Sequence, residues 1–321
     1  MKSWGLEMHR REFMGVCAGA AVSAAVGDAS AAALPVPPAP EADGVPFSLT
    51  VMLWTVYRNL PFAQRLEKVA EAGYHAVELV DEFKDWKKED FAEARRKKRE
   101  LGIEIDGTCG VWIPLADSTK RDAFLKSLRD FIPSMRELEC TRLIMQTGNK
   151  IPGLSPEEMH TNCIETLKRG ADIAAENNIE LLIENIDPEE NPKYFLTQSA
   201  EGFEIVRSVG NPHVKFLYDL FHEQISAGNL IAKLEKNIDL IAIVHVADVP
   251  GRHHPGTGEI NYPNIFRKLA ELRYSRYVAM EFHPLGDPVK ELRDARELAI
   301  SSARAQRAAR TFESGRKYES A

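Results

Sequence analysis

Four side chains of the types that bind metal ions follow short apolar runs in the second half of the chain. They are Glu184, Asp219, His245 and Glu281. Their spacings of 35, 26 and 36 residues each match about one strand and one helix. In a (β/α)8 barrel, functional side chains come from the carboxyl ends of several strands, where the loops converge. The spacing therefore predicts that the four side chains meet at one point.

Three carboxylates and one imidazole form a donor set that suits a hard divalent cation. Mn²⁺ or Mg²⁺ is the expected cofactor, with Co²⁺ as a further candidate, because oxygen donors dominate the set. Three buried carboxylates without a cation would repel one another at high cost. Any one of these acids alone is better explained as a cap for the loop or helix that follows it. Their recurrence on four consecutive predicted strands favours a metal site.

The elements that must position this site are eight short β-rich runs that alternate with longer segments of helical period. Such alternation is typical of βαβ units around a parallel sheet. The predicted strands are residues 47–56, 75–80, 103–109, 142–147, 180–185, 214–219, 241–247 and 277–282. An open doubly wound sheet is disfavoured, because no glycine-rich phosphate-binding sequence follows the first run. The chain is therefore predicted to form a single-domain α/β fold, a (β/α)8 TIM barrel over residues 47–300, with a helical tail that frays at 301–321.

Start and stop signals of helices separate the predicted strands. Pro61 opens a helix that Gly73 ends, and Asp287-Pro288 opens the last helix. Ser155-Pro156-Glu157-Glu158 has the pattern of a capping box with proline at the first helical position. These signals support genuine strand–helix repeats.

The amino-terminal segment predicts export. Arg10 and Arg11 precede an apolar run rich in Ala and Gly that ends in small residues near Ala33, as in a twin-arginine signal peptide. Residues 1–33 are therefore predicted to engage the twin-arginine export machinery, and residues 34–46 to form a proline-rich linker. The apolar run is shorter than the roughly 20 residues of a membrane span, so stable membrane insertion is not expected. The predicted location is periplasmic or otherwise exported.

Composition narrows the class of partner. Of the 321 residues, 44% are hydrophobic and 28% charged, which indicates a folded soluble protein rather than a disordered or membrane one. The formal net charge of −7 would repel a nucleic acid, so nucleic-acid binding is not expected and a small molecule is favoured. Cys109, Cys140 and Cys163 lack the spacing of a metal site and are predicted to be buried apolar residues.

Three stretches of sequence resemble the hydroxypyruvate isomerase family, within the xylose isomerase-like TIM barrels. They are residues 218–224 (YDLFHEQ), 245–253 (HVADVPGRH) and 255–262 (PGTGEINY), and the similarity extends over residues 47 to about 290. The resemblance implies metal ligation by the same four residues, with Glu184 and Glu281 also serving as the catalytic acid/base pair. Ketose epimerases of the superfamily carry histidine at the position of His245, so isomerisation and epimerisation both remain open.

The resemblance also implies that His222 and Arg252 hold substrate oxygens. Arg252 could make a two-pronged contact with a carboxylate. The alternative for His222 is a histidine packed under a loop, and the alternative for Arg252 is a surface salt bridge. Glu259 is expected to brace a neighbouring loop behind the ligands. Glu78 is expected at the mouth or on the rim of the barrel. Trp54 on the first strand and Trp112 after the third are expected to form apolar walls of the site or to pack in the core.

A metal held by the carbonyl and hydroxyl oxygens of a substrate can stabilise the enediolate that forms when a carboxylate removes the adjacent proton. Return of the proton to the neighbouring carbon gives aldose–ketose isomerisation, and return to the other face of the same carbon gives epimerisation.

The expected enzyme is a metal-dependent isomerase of carbohydrate metabolism, with hydroxypyruvate and tartronate semialdehyde as the family's reference pair. Its partner would be a small sugar or a hydroxy-keto acid. The alternatives are a ketose 3-epimerase, a keto-glycoside lyase and a non-catalytic sugar-binding barrel; an abasic-site endonuclease would need more histidines and a basic surface.

Overall fold

Eight short parallel strands form the centre of the computed structural model, which describes residues 44–319. They are β1 (Ser48–Met52), β2 (Ala76–Leu79), β3 (Glu104–Thr108), β4 (Arg142–Gln146), β5 (Glu180–Glu184), β6 (Val214–Asp219), β7 (Ile241–Val246) and β8 (Tyr277–Met280). Neighbours along the chain pair with one another, and β8 pairs with β1, so the sheet closes. The predicted TIM barrel is confirmed. The predicted signal at 1–33 and residues 34–43 of the predicted linker lie outside the described residues.

Helices follow the strands and cover the outside of the barrel. They are α1 (Phe62–Glu71), α2 (Lys88–Leu101), α3 (Arg121–Leu138), α4 (Pro156–Asn177), α5 (Ser199–Val209), α6 (Leu220–Ser226), α7 (Leu230–Asn237), α8 (Tyr262–Glu271) and α9 (Pro288–Glu319). The boundary predicted at residue 300 falls inside α9, because neither proline nor glycine interrupts the sequence between Pro288 and Gly315. No helix in the described part of the chain has the length and apolar character needed to cross a membrane.

The predicted capping box at the start of α4 is present. The Ser155 hydroxyl accepts a hydrogen bond from the Glu158 amide at 3.2 Å, and the Glu158 carboxylate accepts one from the Ser155 amide at 2.7 Å. Asp287 likewise accepts a hydrogen bond from the Val289 amide at the start of α9. The local sequence therefore satisfies amide groups that a helix start leaves without partners.

The first strand is shorter than predicted. It ends at Met52, and residues Leu53–Thr55 form a 3₁₀ turn. The Thr55 hydroxyl and the Val56 amide donate to the Met52 and Leu53 carbonyl oxygens, so local hydrogen bonds replace pairing with a neighbouring strand. Trp54 consequently lies on this turn and not on β1.

Alternation along the strands aims the candidate ligands into the barrel. Side chains two residues apart on a strand share a face. The residues two positions before the four candidate ligands all lie in the apolar cluster inside the barrel; they are Leu182, Leu217, Ile243 and Ala279. The candidate ligands therefore lie above this layer, at the carboxyl end of the barrel.

Helix α5 packs very closely against β6 at Gly202. A Cβ atom at this position would lie 2.1 Å from the Phe216 ring. Phe216 is fully buried and packs against Phe203 with ring centroids 4.6 Å apart, so its ring has little room to move. The absence of a side chain at Gly202 allows the helix to approach the strand that ends in Asp219.

We predict that Gly202→Ala lowers stability. Alanine favours a helix by about 1 kcal/mol over glycine, but overpacking a well-filled core costs about 1–3 kcal/mol. The clash should therefore prevail, and the midpoint of chemical denaturation should fall. Ser208→Ala, on the exposed side of the same helix, is the control and should leave the midpoint almost unchanged. A Gly202→Ala protein as stable as the wild type would show that the ring yields freely.

Candidate metal centre and active site

The four predicted ligands converge. One ligand atom from each of Glu184, Asp219, His245 and Glu281 lies within 4.8 Å of the others. All four residues are buried. Asp219 pairs in register with His245 between β6 and β7, and Glu281 is the first residue after β8. We call these four residues the acidic cluster.

His245 presents one ring nitrogen to the cluster. Its Nδ1 lies 2.8 Å from Glu281 Oε2, 3.8 Å from Glu184 Oε1 and 3.9 Å from Asp219 Oδ2. Its Nε2 lies 2.8 Å from Glu78 Oε2, on the opposite side of the ring. Nδ1 is therefore the nitrogen that could bind a metal, and an Nε2–H would donate to Glu78.

Asp219 supplies an oxygen that suits a cation. Its Oδ1 accepts the amide hydrogens of Phe221 at 2.7 Å and His222 at 3.1 Å, which caps α6. Its Oδ2 is buried and has no hydrogen-bond partner among residues 44–319. An unpartnered buried carboxylate oxygen is costly, and a cation would remove that cost. The acidic cluster therefore fits a divalent cation bound by hard oxygen donors and one imidazole.

Different surroundings give the two glutamates of the cluster different proton affinities. Burial raises the pKa of Glu184 to about 8, assisted by the charges of Glu281 and Asp219 and opposed by His245. Burial alone would also raise the pKa of Glu281, but Arg252, His245 and the Trp54 indole together hold it well below its usual value. Two carboxyls with separated proton affinities are typical of an acid/base pair.

Arg252 lies over the acidic cluster and is buried, unlike a surface salt bridge. Its Nη2 is 2.8 Å from Glu281 Oε2, and its Nη1 is 2.8 Å from Glu190 Oε2. The guanidinium also lies 5.3 Å from the Trp54 ring centroid and 5.1 Å from that of Phe221. The two-pronged pairing expected from the sequence is thus made with two carboxylates of the protein itself.

His222 also faces the cluster, from the first turn of α6. Its Nδ1 lies 2.6 Å from Asp187 Oδ2, and its Nε2 lies 3.6 Å from Asp219 Oδ2. Burial would lower the pKa of His222, but Asp219 and Asp187 raise it to about 9. The ring is therefore held by a loop carboxylate while Nε2 points toward the cluster.

Three acidic residues of the site were not assigned to it from the sequence. Glu78 is fully buried beneath His245 and is neither on the rim nor at the mouth of the barrel. Glu78 lies two residues after Ala76, whose side chain faces the interior of the barrel. Because residues two apart on a strand share a face, this spacing could have predicted that Glu78 also points inward. Asp187 and Glu190 lie on the loop after β5, where no sequence periodicity indicates the direction of a side chain.

The remaining predicted residues lie farther from the chemistry or play smaller roles. Glu259 is exposed and accepts a hydrogen bond from Gln224 at 2.9 Å, which joins the β7–α8 loop to α6. Trp112 is exposed on the β3–α3 loop, whereas the Trp54 indole donates a hydrogen bond to Glu281 at 2.6 Å. The predicted burial of the three cysteines is confirmed for Cys109, Cys140 and Cys163.

Comparison with known proteins connects this site with a family. The model of the xylose isomerase-like TIM barrel family matches residues 66–301. Hydroxypyruvate isomerase of Escherichia coli is 29% identical over 71% of this chain and 90% of its own. The 2-oxo-tetronate isomerase of Pectobacterium atrosepticum is 27% identical over 72% of this chain and 90% of its own. A crystal structure from Brucella melitensis described as an AP endonuclease of family 2 has 27% identity and a TM-score of 0.68, over 77% of this chain and 96% of that one.

We predict that Glu78→Gln and Glu78→Ala weaken metal binding. Carboxylates that hold the second ring nitrogen of a metal-binding histidine typically contribute about 10–100-fold to metal affinity. The alanine variant should lose more affinity than the glutamine variant, because glutamine keeps an acceptor for the Nε2–H. Calorimetric titration of the metal-free protein with Mn²⁺ gives the affinities.

Glu176→Gln, an exposed residue of α4, is the control and should bind Mn²⁺ as the wild type does. Circular dichroism would establish that each variant is folded. Wild-type affinity in folded Glu78→Ala would exclude the proposed support of His245.

Proposed function

Since the chain belongs to the xylose isomerase-like TIM barrel family, we propose that it is a divalent-metal-dependent isomerase of a small hydroxy-carbonyl compound. The relatives named hydroxypyruvate isomerase and 2-oxo-tetronate isomerase support this reaction class. The observation that carries the proposal is the convergence of three carboxylates and one imidazole at the carboxyl end of the barrel. That convergence would combine a cation site with proton-accepting groups at one point.

Mn²⁺ or Mg²⁺ is the cation we propose, and when bound it would stabilise negative charge on the oxygens of a substrate as a proton leaves the adjacent carbon. Glu184 and Glu281 are the proposed proton carriers, because they come from β5 and from the end of β8, and would face the substrate from different directions. Arg252 and the Trp54 indole hold Glu281 in place. His222 Nε2 and Arg252 are the groups we propose to donate hydrogen bonds to substrate oxygens.

The proposed reaction moves one hydrogen between neighbouring carbons. One glutamate removes the proton from the carbon that bears the hydroxyl, and the electron pair of that C–H bond forms the carbon–carbon double bond of an enediolate. The proton then returns to the former carbonyl carbon, while the hydroxyl proton moves to the former carbonyl oxygen. The atoms balance without any redox partner, and the product is the isomeric ketose or aldose.

We predict that Glu184→Gln and Glu281→Gln lower turnover by several orders of magnitude while the barrel stays folded, because an amide cannot carry the proton. The measurement is deuterium incorporation from D₂O into carbon-bound positions of small sugars and keto acids, followed by NMR. A chelator should abolish the exchange, and added Mn²⁺ should restore it. Glu189→Gln, an exposed loop residue, is the matched control and should exchange at the wild-type rate.

The same experiment separates the alternatives. Deuterium on the neighbouring carbon of an isomeric product supports isomerisation, and inversion with deuterium at the original carbon indicates an epimerase. Release of an aglycone from a keto-glycoside indicates a lyase. Ligand binding without deuterium exchange, or exchange that persists in the glutamine variants, would contradict the proposed function.

We also propose that residues 1–33 direct export through the twin-arginine pathway, on the strength of Arg10 and Arg11 ahead of the apolar run. We predict that Arg10→Lys combined with Arg11→Lys blocks export of the full chain in a bacterium that has this pathway. Immunoblots of periplasmic and cytoplasmic fractions provide the measurement. Lys2→Gln changes the charge of the same segment without altering the pair and should be exported. An intact, uncleaved wild-type chain retained in the cytoplasm would contradict the proposal.

A further inference from the structure

The charge of Arg252 is already matched by the protein. Both terminal nitrogens of the guanidinium contact carboxylates, Nη2 that of Glu281 and Nη1 that of Glu190, each at 2.8 Å. Among the described residues, Arg252 is the single arginine or lysine that forms an ion pair with the acidic cluster. A substrate carboxylate would normally be held by a cation with two free, parallel N–H groups. At Arg252 the two terminal nitrogens, which could form such a pair, both already contact carboxylates of the protein.

The position of Arg252 is also restrained. Its amide donates to the Asp248 carbonyl at 3.0 Å, and its own carbonyl accepts from the His283 amide at 2.7 Å. The guanidinium also packs against the rings of Trp54 and Phe221. To bind a substrate carboxylate with both terminal nitrogens, the side chain would have to give up its contacts with Glu281 and Glu190.

Acidic side chains outnumber basic ones around the site. Asp187 and Glu190 lie on the loop after β5 and contact His222 and Arg252, which in turn contact the acidic cluster. Against these five acids the contacts place one arginine and two histidines, Arg252, His222 and His245. A bound divalent cation would offset part of this excess, and a negative charge on the substrate would be repelled by the acids that remain.

One nitrogen of Arg252 remains without a contact. Its Nε is buried and has no hydrogen-bond partner in the described part of the chain. A single N–H can bind one oxygen of a substrate, such as a hydroxyl or carbonyl oxygen. It does not provide the two parallel contacts that would hold a carboxylate in place.

We infer that the substrate is an uncharged polyhydroxy aldehyde or ketone and not a hydroxy-keto acid, because Glu281 and Glu190 occupy the guanidinium that would otherwise hold a carboxylate. This inference rests on the proposed function and narrows its substrate class. Glu190 acts in it as a specificity-determining residue, since it keeps the outer terminal nitrogen of Arg252 from anions.

Matched pairs of substrates test the inference. Dihydroxyacetone and hydroxypyruvate share a three-carbon skeleton, and erythrulose and 2-oxo-tetronate share a four-carbon one; within each pair a CH₂OH group replaces a carboxylate. We predict that the kcat/KM for deuterium exchange of the Mn²⁺-loaded enzyme is at least about tenfold higher for the neutral member of each pair. An equal or higher value for the carboxylate member would overturn the inference and leave the proposed function standing. Exchange of none of the four above the level of Glu184→Gln would contradict the proposed function itself.

Glu190→Gln tests the cause. Glu190→Gln removes the negative charge that is paired with Nη1 of Arg252, so the preference for the neutral substrate should fall by about tenfold, mainly through a lower KM for the carboxylate members. Glu189→Gln makes the same chemical change one residue away, at an exposed side chain, and should keep the wild-type preference. An unchanged preference in Glu190→Gln would exclude the assigned role of Glu190, and circular dichroism establishes that both variants are folded.

Discussion

Mutual repulsion among buried carboxylates is the constraint on which the rest of this site depends. Glu184, Asp219 and Glu281 lie close together away from water, an arrangement that is costly without compensating charge. Arg252 and His245 supply part of that compensation through direct contacts with Glu281. Asp219 Oδ2 still finds no hydrogen-bond partner among the described residues. A bound divalent cation would offset much of the remaining negative charge, and for this reason metal binding and proton transfer would depend on the same residues.

The loop between β7 and α8 holds the compensating arginine in place. Asp248 is buried, and its carboxylate accepts the amide hydrogens of Val249 at 3.0 Å, Gly256 at 2.8 Å and Ile260 at 3.0 Å. These bonds fold the loop back on itself and present Arg252, whose φ of 57° is unusual for a residue other than glycine. The carboxylate of Asp248 thus acts on the site through the backbone and not through contact with the acidic cluster.

Support for the site also comes from beneath. Glu78 contacts the nitrogen of His245 that faces away from the acidic cluster. The histidine is therefore oriented by an acid inside the barrel, while its other nitrogen remains available to the cluster. The same acidic surroundings that favour a cation are the basis of the inferred preference for an uncharged substrate.

The sequence by itself determined the barrel and the four candidate ligands, because the period of two along a strand and the length of a strand–helix unit are local properties. Leu182 and Glu184, like Leu217 and Asp219, share a face whatever surrounds them. Local signals also located the starts of α4 and α9, through Ser155 and Asp287. Contacts between loops were decided only by the tertiary structure. The ion pair of Arg252 with Glu190 joins residues 62 positions apart, and the hydrogen bond of Trp54 with Glu281 joins residues 227 positions apart. Loop side chains have no periodicity, so their partners depend on where the closed barrel brings the loops together.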